Sequence, residues 1–288
     1  MKAAIYSQKT DLDTYLYLSK FISELAKRNI EAVLHEKTAQ DLQFSKNFAT
    51  FSSKDDLKNH NVKYFFSFGG DGTILNALIY IQDLEIPVIG VNTGRLGFLA
   101  SFSKEDIFNN IDSILNNELV LGKRSVIQVF TRGNTIDFPF ALNDLSIIRK
   151  ETTSMISVDT YINNDFLTVF WADGLIIATP TGSTAYSLSC GGPIIAPTND
   201  NFVLTPVAPH NLNVRPIVLK DDVEIHLKIE SRVPQYSLSL DSRIYDLNIE
   251  EEVWVKKAPF ELNLLLPKEI NFFDKLRERL LWGKDKRN

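Results

Sequence analysis

An apolar strand that ends in a glycine-rich turn around one carboxylate constrains the fold of this chain more than any other feature. The apolar run at 65–68 leads into Gly69-Gly70-Asp71-Gly72-Thr73, and residues 73–78 have the pattern of a starting helix. Glycines at a strand–helix junction let the backbone approach a bound group closely, and a helix N-terminus attracts anions. A pure phosphate cradle favours lysine in such a turn, so Asp71 indicates a site that handles a hydroxyl or a metal beside a phosphate. This combination predicts phosphoryl transfer.

Strand-like and helix-like segments alternate over the first 118 residues. Residues 3–7, 62–68 and 86–92 have the pattern of strands, and residues 14–27 carry apolar side chains at close to helical period. Such alternation implies βαβ units and a parallel sheet, in which ligands gather at the carboxyl ends of the strands. We therefore expect residues 1–118 to form an α/β nucleotide-type domain with a parallel sheet.

The pattern changes after residue 118 to many short strand-like runs with few helical signals. Turn-forming sequences separate several of these runs, among them Arg132-Gly133-Asn134 and Asn163-Asn164-Asp165. This predicts a β-rich, sandwich-like C-terminal domain over residues 119–266. Residues 267–288 return to helical period, with apolar positions that include Ile270 and Leu276. We expect this last segment to pack back on the first domain or on a neighbouring subunit.

The composition limits the kinds of binding partner and the cellular compartment that we expect for this chain. Lys and Arg total 31 against 36 Asp and Glu, a net charge of −5, which favours neither nucleic acid nor an anionic membrane as partner. No apolar stretch reaches the roughly 18 residues of a membrane span, and the N-terminus has no signal-peptide pattern. The one cysteine, Cys190, excludes an intramolecular disulfide framework, and the four histidines lack metal-ligand spacing. We expect a soluble, cytoplasmic protein.

A second block of small hydroxyl residues follows another apolar strand. It comprises Thr179-Pro180-Thr181-Gly182-Ser183-Thr184, and Asp173 precedes the strand. Such a run can present several backbone N–H groups and hydroxyls at once, which suits a phosphate, a ribose or the edge of a base. The alternative is a helix N-cap formed by Ser183 or Thr184, and the two interpretations are compatible.

Two further segments each have a ligand-binding and a local structural interpretation. Asn143-Asp144 places polar side chains inside an apolar, strand-like run, either for a ligand or as an Asx turn or bulge. In the segment at 92–99, two glycines flank Arg95-Leu96, either as a ligand-facing loop or as an ordinary turn. The chain lacks a P-loop sequence, a dinucleotide-binding G-x-G-x-x-G after an early strand, and a G-x-S-x-G hydrolase motif.

Taken together and in this order, these blocks resemble the NAD kinases. The resemblance extends over about residues 62–283 and includes Pro209-His210-Asn211-Leu212. The glycine turn alone also resembles that of lipid kinases, whereas the block at 179–186 is far more specific. The resemblance implies transfer of a phosphoryl group to the 2′-hydroxyl of the adenosine ribose of NAD, which forms NADP.

The resemblance also implies residue roles. Asp71 would accept the proton of the hydroxyl, Gly72 would contact the substrate, and Asn143 and Asp144 would bind ribose or base groups. The residues that would line the dinucleotide pocket are Asp173, Thr184, Ala185, Tyr186, Ser187, Leu188, Ser189 and Ala208. Magnesium is the implied cofactor, ATP or another triphosphate or polyphosphate the implied donor, and a homodimer or homotetramer the implied assembly.

Two departures from the family pattern leave parts of this assignment open. Trp171 stands where some bacterial relatives have a basic residue, and Asp241-Ser242-Arg243 stands where many members have Asp-Gly-Gln. These departures leave open a late-domain ligand contact, the choice of donor and the allosteric response. The sequence also does not fix the choice between NAD and NADH. The competing functions are a lipid or sphingoid kinase with the same glycine turn and a non-catalytic dinucleotide sensor. The presence of Asp71 weighs against a sensor.

Overall fold

A computed structural model describes residues 1–44, 48–94, 97–133, 136–151, 154–268 and 271–282. Arg95, Leu96, Asn134 and Ile270, which figure in the sequence predictions, lie outside the described residues. The chain folds as two compact units, one formed by residues 1–123 together with 262–288 and the other by residues 124–261. No helix in the described ranges is long and apolar enough to cross a membrane.

Strands and helices are numbered along the chain. The strands are β1 (Lys2–Ser7), β2 (Glu31–His35), β3 (Ala49–Phe51), β4 (Val62–Gly69), β5 (Val88–Asn92), β6 (Phe102–Ser103), β7 (Val120–Arg124), β8 (Ile127–Thr131), β9 (Phe140–Ala141), β10 (Asp144–Arg149), β11 (Ile156–Ile162), β12 (Asp165–Ala172), β13 (Gly174–Ala178), β14 (Asn201–Val207), β15 (Ile217–Lys220), β16 (Ile225–Glu230), β17 (Gln235–Leu240), β18 (Arg243–Asn248), β19 (Val253–Lys257) and β20 (Leu262–Leu266). The α-helices are α1 (Leu12–Ala26), α2 (Glu36–Asp41), α3 (Lys54–Asn59), α4 (Asp71–Ile81), α5 (Asp106–Leu115), α6 (Tyr186–Ser189) and α7 (Phe272–Leu280), and Gly182–Thr184 forms a 3₁₀ turn.

The first unit is built on one sheet with the strand order β3-β2-β1-β4-β5-β20-β7, to which β6 adds beside β5. The pairs of β1 with β2 and β4, and of β5 with β4, β6 and β20, are parallel. In register, Ser7 lies beside Phe68 and Gly69 lies beside Asn92. The carboxyl ends of three central strands therefore meet at one edge of the sheet, where ligands of parallel sheets bind. The predicted parallel α/β domain is confirmed.

Helix α1 shows how the sequence pattern builds the core of this unit. Asp11 caps the helix by accepting a hydrogen bond from the backbone N–H of Thr14 at 2.8 Å. Leu18, Phe21 and Leu25, spaced three and four residues apart, are fully buried. The Phe21 ring packs edge-on against the rings of Phe66 and Phe68 in β4, with both centroid distances at 5.0 Å.

The second unit consists of two antiparallel sheets. One has the strand order β15-β14-β13-β10-β17-β18 and the other β12-β11-β16-β19-β8-β9. Their alternating apolar side chains form a shared core, represented by Leu145 and Leu238 from one sheet and Val158 and Val255 from the other. The predicted β-rich, sandwich-like domain is confirmed.

Strand β20 differs from the sequence expectation, which assigned residues up to 266 to the β-rich domain. It lies in the first sheet, where Leu264 is beside Val88 of β5 in parallel register. An apolar strand pattern specifies burial but not which sheet provides it, so the sequence could not distinguish the two locations. Helix α7 also belongs to the first unit, and its Lys275 donates to the carbonyl of Phe98 at 2.8 Å.

Candidate active site

Asp71 occupies the first turn of α4, directly after β4 and the glycine pair. Gly70 is the N-cap residue in an extended conformation, and its carbonyl accepts from the N–H of Thr73 at 3.0 Å. Asp71 is half-buried and Gly72 is exposed. The glycine turn therefore presents one carboxylate and an accessible stretch of backbone at the carboxyl edge of the first sheet.

The Asp71 carboxylate accepts hydrogen bonds from three consecutive backbone N–H groups. Phe98 donates to Oδ2 at 2.6 Å, while Leu99 and Ala100 donate to Oδ1 at 2.9 and 3.1 Å. A carboxylate has about four acceptor positions, so the hydrogen bonds from the described residues leave one, and it lies on Oδ2. These bonds fix the orientation of the carboxylate and aim its remaining acceptor position.

Gly97 makes this arrangement sterically possible. A Cβ added at Gly97 would overlap Oδ1 and Cγ of Asp71, whereas a Cβ at Gly94 in the same segment would meet only Lys9 Nζ at 3.8 Å. Asn92 at the end of β5 holds the start of this segment by accepting from the N–H of Gly94 at 2.8 Å. The part of the segment that the structure describes is thus a loop that contacts Asp71 through its backbone.

In the second unit, a carboxylate holds the Asn143-Asp144 segment in a similar way. Asp241, in the tight turn between β17 and β18 with a φ of 53°, accepts from the N–H groups of Leu142 at 3.0 Å, Asn143 at 2.8 Å and Asp144 at 3.4 Å. Aspartate tolerates this left-handed conformation better than most residues. The local Asx-turn interpretation missed this partner, because Asp241 lies in a turn 97 residues beyond Asp144.

The carbonyl groups of the same segment bind to the hydroxyl-rich block. Thr179 donates its hydroxyl to the carbonyl of Leu142 at 2.6 Å and its N–H to the carbonyl of Asn143 at 2.8 Å. A Cβ at Gly182 would overlap the carbonyl of Asn143. The structure therefore brings together two of the predicted blocks, 143–144 and 179–184, on neighbouring strands of one sheet.

Asp144 is buried, with 6% of its surface exposed. Burial, and secondarily the charge of Asp241, raises the pKa of Asp144 to about 7. Desolvation also raises the pKa of Asp241, although its three backbone donors and Arg243 act in the opposite direction. The pair therefore favours a proton on Asp144 and a negative charge on Asp241 near neutral pH.

The segment after Thr181 does not form the predicted side-chain cap. Ser183 donates to the carbonyl of Pro180 at 2.7 Å and accepts from the N–H of Ile195 at 3.0 Å, while Thr184 donates to the carbonyl of Thr181 at 3.2 Å. The N-cap of α6 is Ala185, without a side-chain hydrogen bond. The interpretation of Ser183 or Thr184 as caps of this helix is therefore wrong, because both hydroxyls are used within the preceding turn.

The residues predicted to line the pocket at 186–189 differ in the exposure and hydrogen bonding of their side chains. Tyr186 is exposed and within electrostatic reach of Asp144 and Asp173, whereas Ser187 is buried and shares a 2.8 Å hydrogen bond with Thr205. Leu188 is half-buried and Ser189 exposed on the same short helix.

Asp173 is hydrogen-bonded to the residue that directly precedes Ala208. The Asp173 carboxylate forms an ion pair with Arg149 at 2.9 Å, and its N–H donates to the carbonyl of Val207 at 2.9 Å. Ala208 follows directly, exposed and with a φ of 45°. The register places Asp144 beside Ala178 at one end of β13, whereas Asp173 and Ala208 lie at the other end of that strand, where Gly174 is beside Ile148 and Val207.

Substituting Gly97 with alanine is expected to disrupt the Asp71 contacts, because the added Cβ overlaps the carboxylate. We expect the amides of Phe98, Leu99 and Ala100 to lose hydrogen-exchange protection, and the free energy of unfolding to fall by about 1–3 kcal/mol. Gly94→Ala is the matched control and should change neither quantity appreciably. Unchanged protection in Gly97→Ala would contradict the described geometry.

Asp144→Asn tests the raised pKa of the buried carboxyl. Because the native pKa lies near 7 and the unfolded pKa near 3.8, wild-type stability should fall relative to the variant as pH rises from about 4 to 7, and the difference should then stay level. The difference should not exceed about 4 kcal/mol at about 1.4 kcal/mol per pH unit. Urea unfolding from pH 5 to 8 measures it. Asp246→Asn is the control, because it removes an exposed carboxylate that is paired with Lys150 and has a lowered pKa. Its stability difference from the wild type should not change between pH 5 and 8, since this carboxylate is ionised over the whole range.

Comparison with known proteins agrees with this geometry. Residues 12–119 match the ATP-NAD kinase N-terminal domain, and residues 142–266 match the ATP-NAD kinase C-terminal domain. A protein of Christiangramia forsetii named NAD kinase is 45% identical over 295 residues and covers 100% of both chains. One of Cytophaga hutchinsonii with the same name is 38% identical over 291 residues and covers 99% of both chains.

Solved structures show the same fold. The crystal structure of yeast NADH kinase complexed with NADH has a TM-score of 0.88 and 25% identity, covering 99% of this chain and 89% of the other. An NAD kinase from Archaeoglobus fulgidus in complex with ATP has a TM-score of 0.74 and 23% identity, covering 99% of this chain and 98% of the other. With both domains matched and full-length relatives well above 30% identity, the chain belongs to the NAD kinase family of phosphotransferases.

Proposed function

We propose that this chain transfers the γ-phosphoryl group of ATP to the 2′-hydroxyl of the adenosine ribose of NAD and forms NADP and ADP. The observation that carries this proposal is the Asp71 carboxylate, which three backbone N–H groups hold and which keeps one acceptor position on Oδ2 that no described residue uses. A hydroxyl group of the substrate can donate its proton to that acceptor position.

Each atom in the proposed step has a defined destination. The 2′-oxygen forms a bond to the γ-phosphorus while the bond from that phosphorus to the β,γ-bridging oxygen breaks, and ADP leaves with the bond's electron pair. The hydroxyl proton passes to Oδ2 of Asp71. Phosphoryl transfer depends mainly on positioning and charge stabilisation, so a carboxylate can serve as proton acceptor even though it is a weak base.

The second unit supplies the proposed contacts to the dinucleotide. Asn143 and Asp144 would bind ribose or base groups, supported by the clamp that Asp241 and Thr179 place on their backbone. A protonated Asp144 can donate one hydrogen bond, which a charged carboxylate cannot do. Since Asp144 has a pKa near 7, its donor capacity would decline as the pH rises through that value.

The segment from residue 184 to 189 and two flanking positions complete the proposed pocket. The exposed ring of Tyr186 offers a surface on which a base can stack. The Ser187 hydroxyl is occupied by Thr205, so its proposed contribution is through the backbone. Thr184, Ala185, Leu188, Ser189, Asp173 and Ala208 are proposed as further lining residues.

A cavity in the first unit supports a nucleoside triphosphate, rather than polyphosphate, as the donor. It measures about 450 Å³, lies at the carboxyl ends of β1 and β2, and is lined by Tyr6, His35, Asn76 and Tyr80 among others. The His35 ring lies edge-on to Tyr6 at 5.0 Å and tilted against Tyr80 at 4.9 Å. A cavity of this size with the rings of Tyr6, His35 and Tyr80 in its wall suits a nucleobase, a group that polyphosphate lacks.

His35 adds a polar group to this cavity. The residue is 92% buried, and its Nδ1 has no hydrogen-bond partner within the described ranges. Burial lowers the pKa of His35, so the ring is neutral near pH 7 and offers Nδ1 as a single donor or acceptor. A base edge would satisfy an atom that is otherwise costly to leave unpaired.

The cavity and the glycine turn are connected. Thr73 in the first turn of α4 donates to Oε1 of Gln8, another lining residue, at 3.2 Å. At about 1.5 Å per residue, Tyr80 lies roughly 13 Å from Asp71 along the axis of α4, which leaves room for a ribose and a triphosphate between them.

Magnesium fits this site as an ion carried by the donor. No group of three or more His, Cys, Asp or Glu side chains that could hold a metal occurs in the part of the chain that the structure describes. Magnesium commonly takes one or two carboxylates and completes its shell with substrate phosphates and water. With three acceptor positions used by backbone donors and the fourth proposed for the hydroxyl proton, Asp71 is not proposed as a ligand of the ion, which donor phosphates and water would hold. When bound, the ion would neutralise phosphate charge.

The sequence resemblance implies a homodimer or homotetramer as the proposed assembly, and the composition implies the cytoplasm as the proposed compartment. A row of aromatic side chains across the second sheet of the second unit supports self-association. Neighbouring strands pair Phe130 with Trp254, Trp254 with His226, and His226 with Tyr161, beside Phe166. Phe130 is 44% and Phe166 58% exposed, and exposed apolar rows of this kind mark interaction surfaces.

Asp71→Asn is expected to leave NAD binding intact and to lower kcat by about 10²- to 10⁴-fold, because it removes the proton acceptor. The amide oxygen can still accept from Leu99 and Ala100, but the amide nitrogen would face the N–H of Phe98. A coupled NADP assay and NAD calorimetry measure the two effects. Asp13→Asn, an exposed acid in the first turn of α1, is the control. Near wild-type turnover would remove Asp71 from the reaction.

His35→Phe is expected to raise the KM for ATP about tenfold, the cost of one lost hydrogen bond in a packed cavity, with the KM for NAD unchanged. Phenylalanine retains the ring contacts with Tyr6 and Tyr80. The control is His60→Phe, because the His60 side chain lies outside the cavity lining and forms a hydrogen bond between its Nε2 and the carbonyl of Thr50 at 3.1 Å. An unchanged KM for ATP, or equal use of inorganic tripolyphosphate by the wild type, would exclude this cavity as the base site.

A further inference from the structure

The C-terminal helix contacts the loop that holds Asp71. Lys275 on α7 donates to the carbonyl of Phe98 at 2.8 Å and to Oγ of Ser101 at 2.7 Å. Arg279 follows four residues later and therefore projects from the same face of the helix. The helix is anchored in the first unit by Leu276, which is 4% exposed. One face of α7 thus lies against the segment that surrounds the Asp71 carboxylate.

Arg279 differs from the other arginine of this helix. Its Nε and Nη2 atoms are buried and have no hydrogen-bond partner within the described residues. Burial lowers the pKa of Arg279, and the charge of Asp71 opposes this effect, so Asp71 is within electrostatic reach of the guanidinium. The group remains charged because arginine does not lose its proton in proteins. Arg277, by contrast, is exposed and forms an ion pair with Asp274.

A buried guanidinium edge that no described residue pairs with indicates a binding position for an anion. Leaving charged donors unpaired in a desolvated position is unfavourable. The three recorded bonds to the Asp71 carboxylate come from backbone N–H groups, not from Arg279. The Nε–Nη2 edge of a guanidinium matches two oxygens of one phosphate in a bidentate arrangement.

We propose that Arg279 binds the phosphoryl group that the donor transfers, and stabilises its negative charge in the transition state. This inference rests on the proposed NAD kinase activity and adds a catalytic residue to it. Arg279 gains and loses no proton in the step. It pairs with the phosphoryl oxygens while Asp71 takes the hydroxyl proton. A cation therefore acts on the transferred phosphoryl group, and a base acts on the hydroxyl that accepts it.

Lys275 has a supporting role in this arrangement. Its bonds to Phe98 and Ser101 tie α7 to the loop whose N–H groups orient Asp71. The position of the guanidinium and that of the carboxylate are therefore set by the same loop.

The test compares three variants in the NADP assay with NAD, ATP and magnesium. Arg279→Gln should lower kcat about 10²- to 10³-fold, and Arg279→Lys about tenfold, because lysine keeps the charge but loses the planar fork. The KM for NAD should not change. Arg277→Gln, one exposed arginine removed from the same helix, should stay within twofold of wild type.

Chemical rescue separates a phosphate contact from a merely structural role. Free guanidinium at millimolar concentration should restore part of the activity of Arg279→Ala but not of Asp71→Asn. Thermal unfolding of each variant shows whether it folds. Wild-type kcat in Arg279→Gln, or a folded Arg279→Ala that guanidinium does not rescue, would overturn the inference.

Failure of this inference is distinguishable from failure of the proposed function. If the wild type forms no NADP, the proposed function fails, and calorimetry with inorganic tripolyphosphate then tests the phosphate contact alone. Arg279→Gln should weaken tripolyphosphate binding about tenfold or more, whereas Arg277→Gln should not. Equal binding by wild type and Arg279→Gln would overturn the contact whatever the reaction.

Discussion

Three backbone N–H groups from residues 98–100 hold the Asp71 carboxylate, and the rest of the candidate site in the first unit depends on this interaction. The loop can approach so closely only because Gly97 has no side chain. Its carbonyl and hydroxyl groups are in turn bound by Lys275 of α7. A single set of charge-assisted hydrogen bonds thereby connects the glycine turn, the segment after β5 and the C-terminal helix, and leaves one acceptor position of the carboxylate available.

In the second unit, which is a β-sandwich, a carboxylate also accepts hydrogen bonds from consecutive backbone N–H groups. Asp241 binds the N–H groups of three consecutive residues, 142–144, while Thr179 binds the adjoining carbonyls. A carboxylate suits this task because its two oxygens accept several hydrogen bonds, whereas an amide would present donors to some of the same groups. In both units, an aspartate from one element fixes the backbone of another and so prepares neighbouring groups for a ligand.

The sequence predicts the parts of the fold and site whose signal is local. Alternating strand and helix patterns give the parallel sheet, and short strands separated by turns give the sandwich. Asp71 and Asn143 stand out because their neighbours along the chain are unusual for a strand or turn. By contrast, Asp241, which accepts the hydrogen bond from the N–H of Asn143, is 98 residues away along the chain. The role proposed for Arg279 likewise depends on the position of α7 in the first unit, which the sequence does not specify. The assignment of β20 to the first sheet escapes prediction for the same reason, since its apolar pattern fits either sheet.

The measurement that tests this account most directly is the identity of the phosphorylated product. Wild-type protein would be incubated with NAD, ATP and magnesium, and the products examined by ³¹P NMR and by an enzyme specific for NADP. The account predicts equimolar ADP and NADP, with a new phosphate monoester on the 2′-oxygen of the adenosine ribose. Hydrolysis of ATP without NADP, or a phosphate on any other hydroxyl, would contradict it.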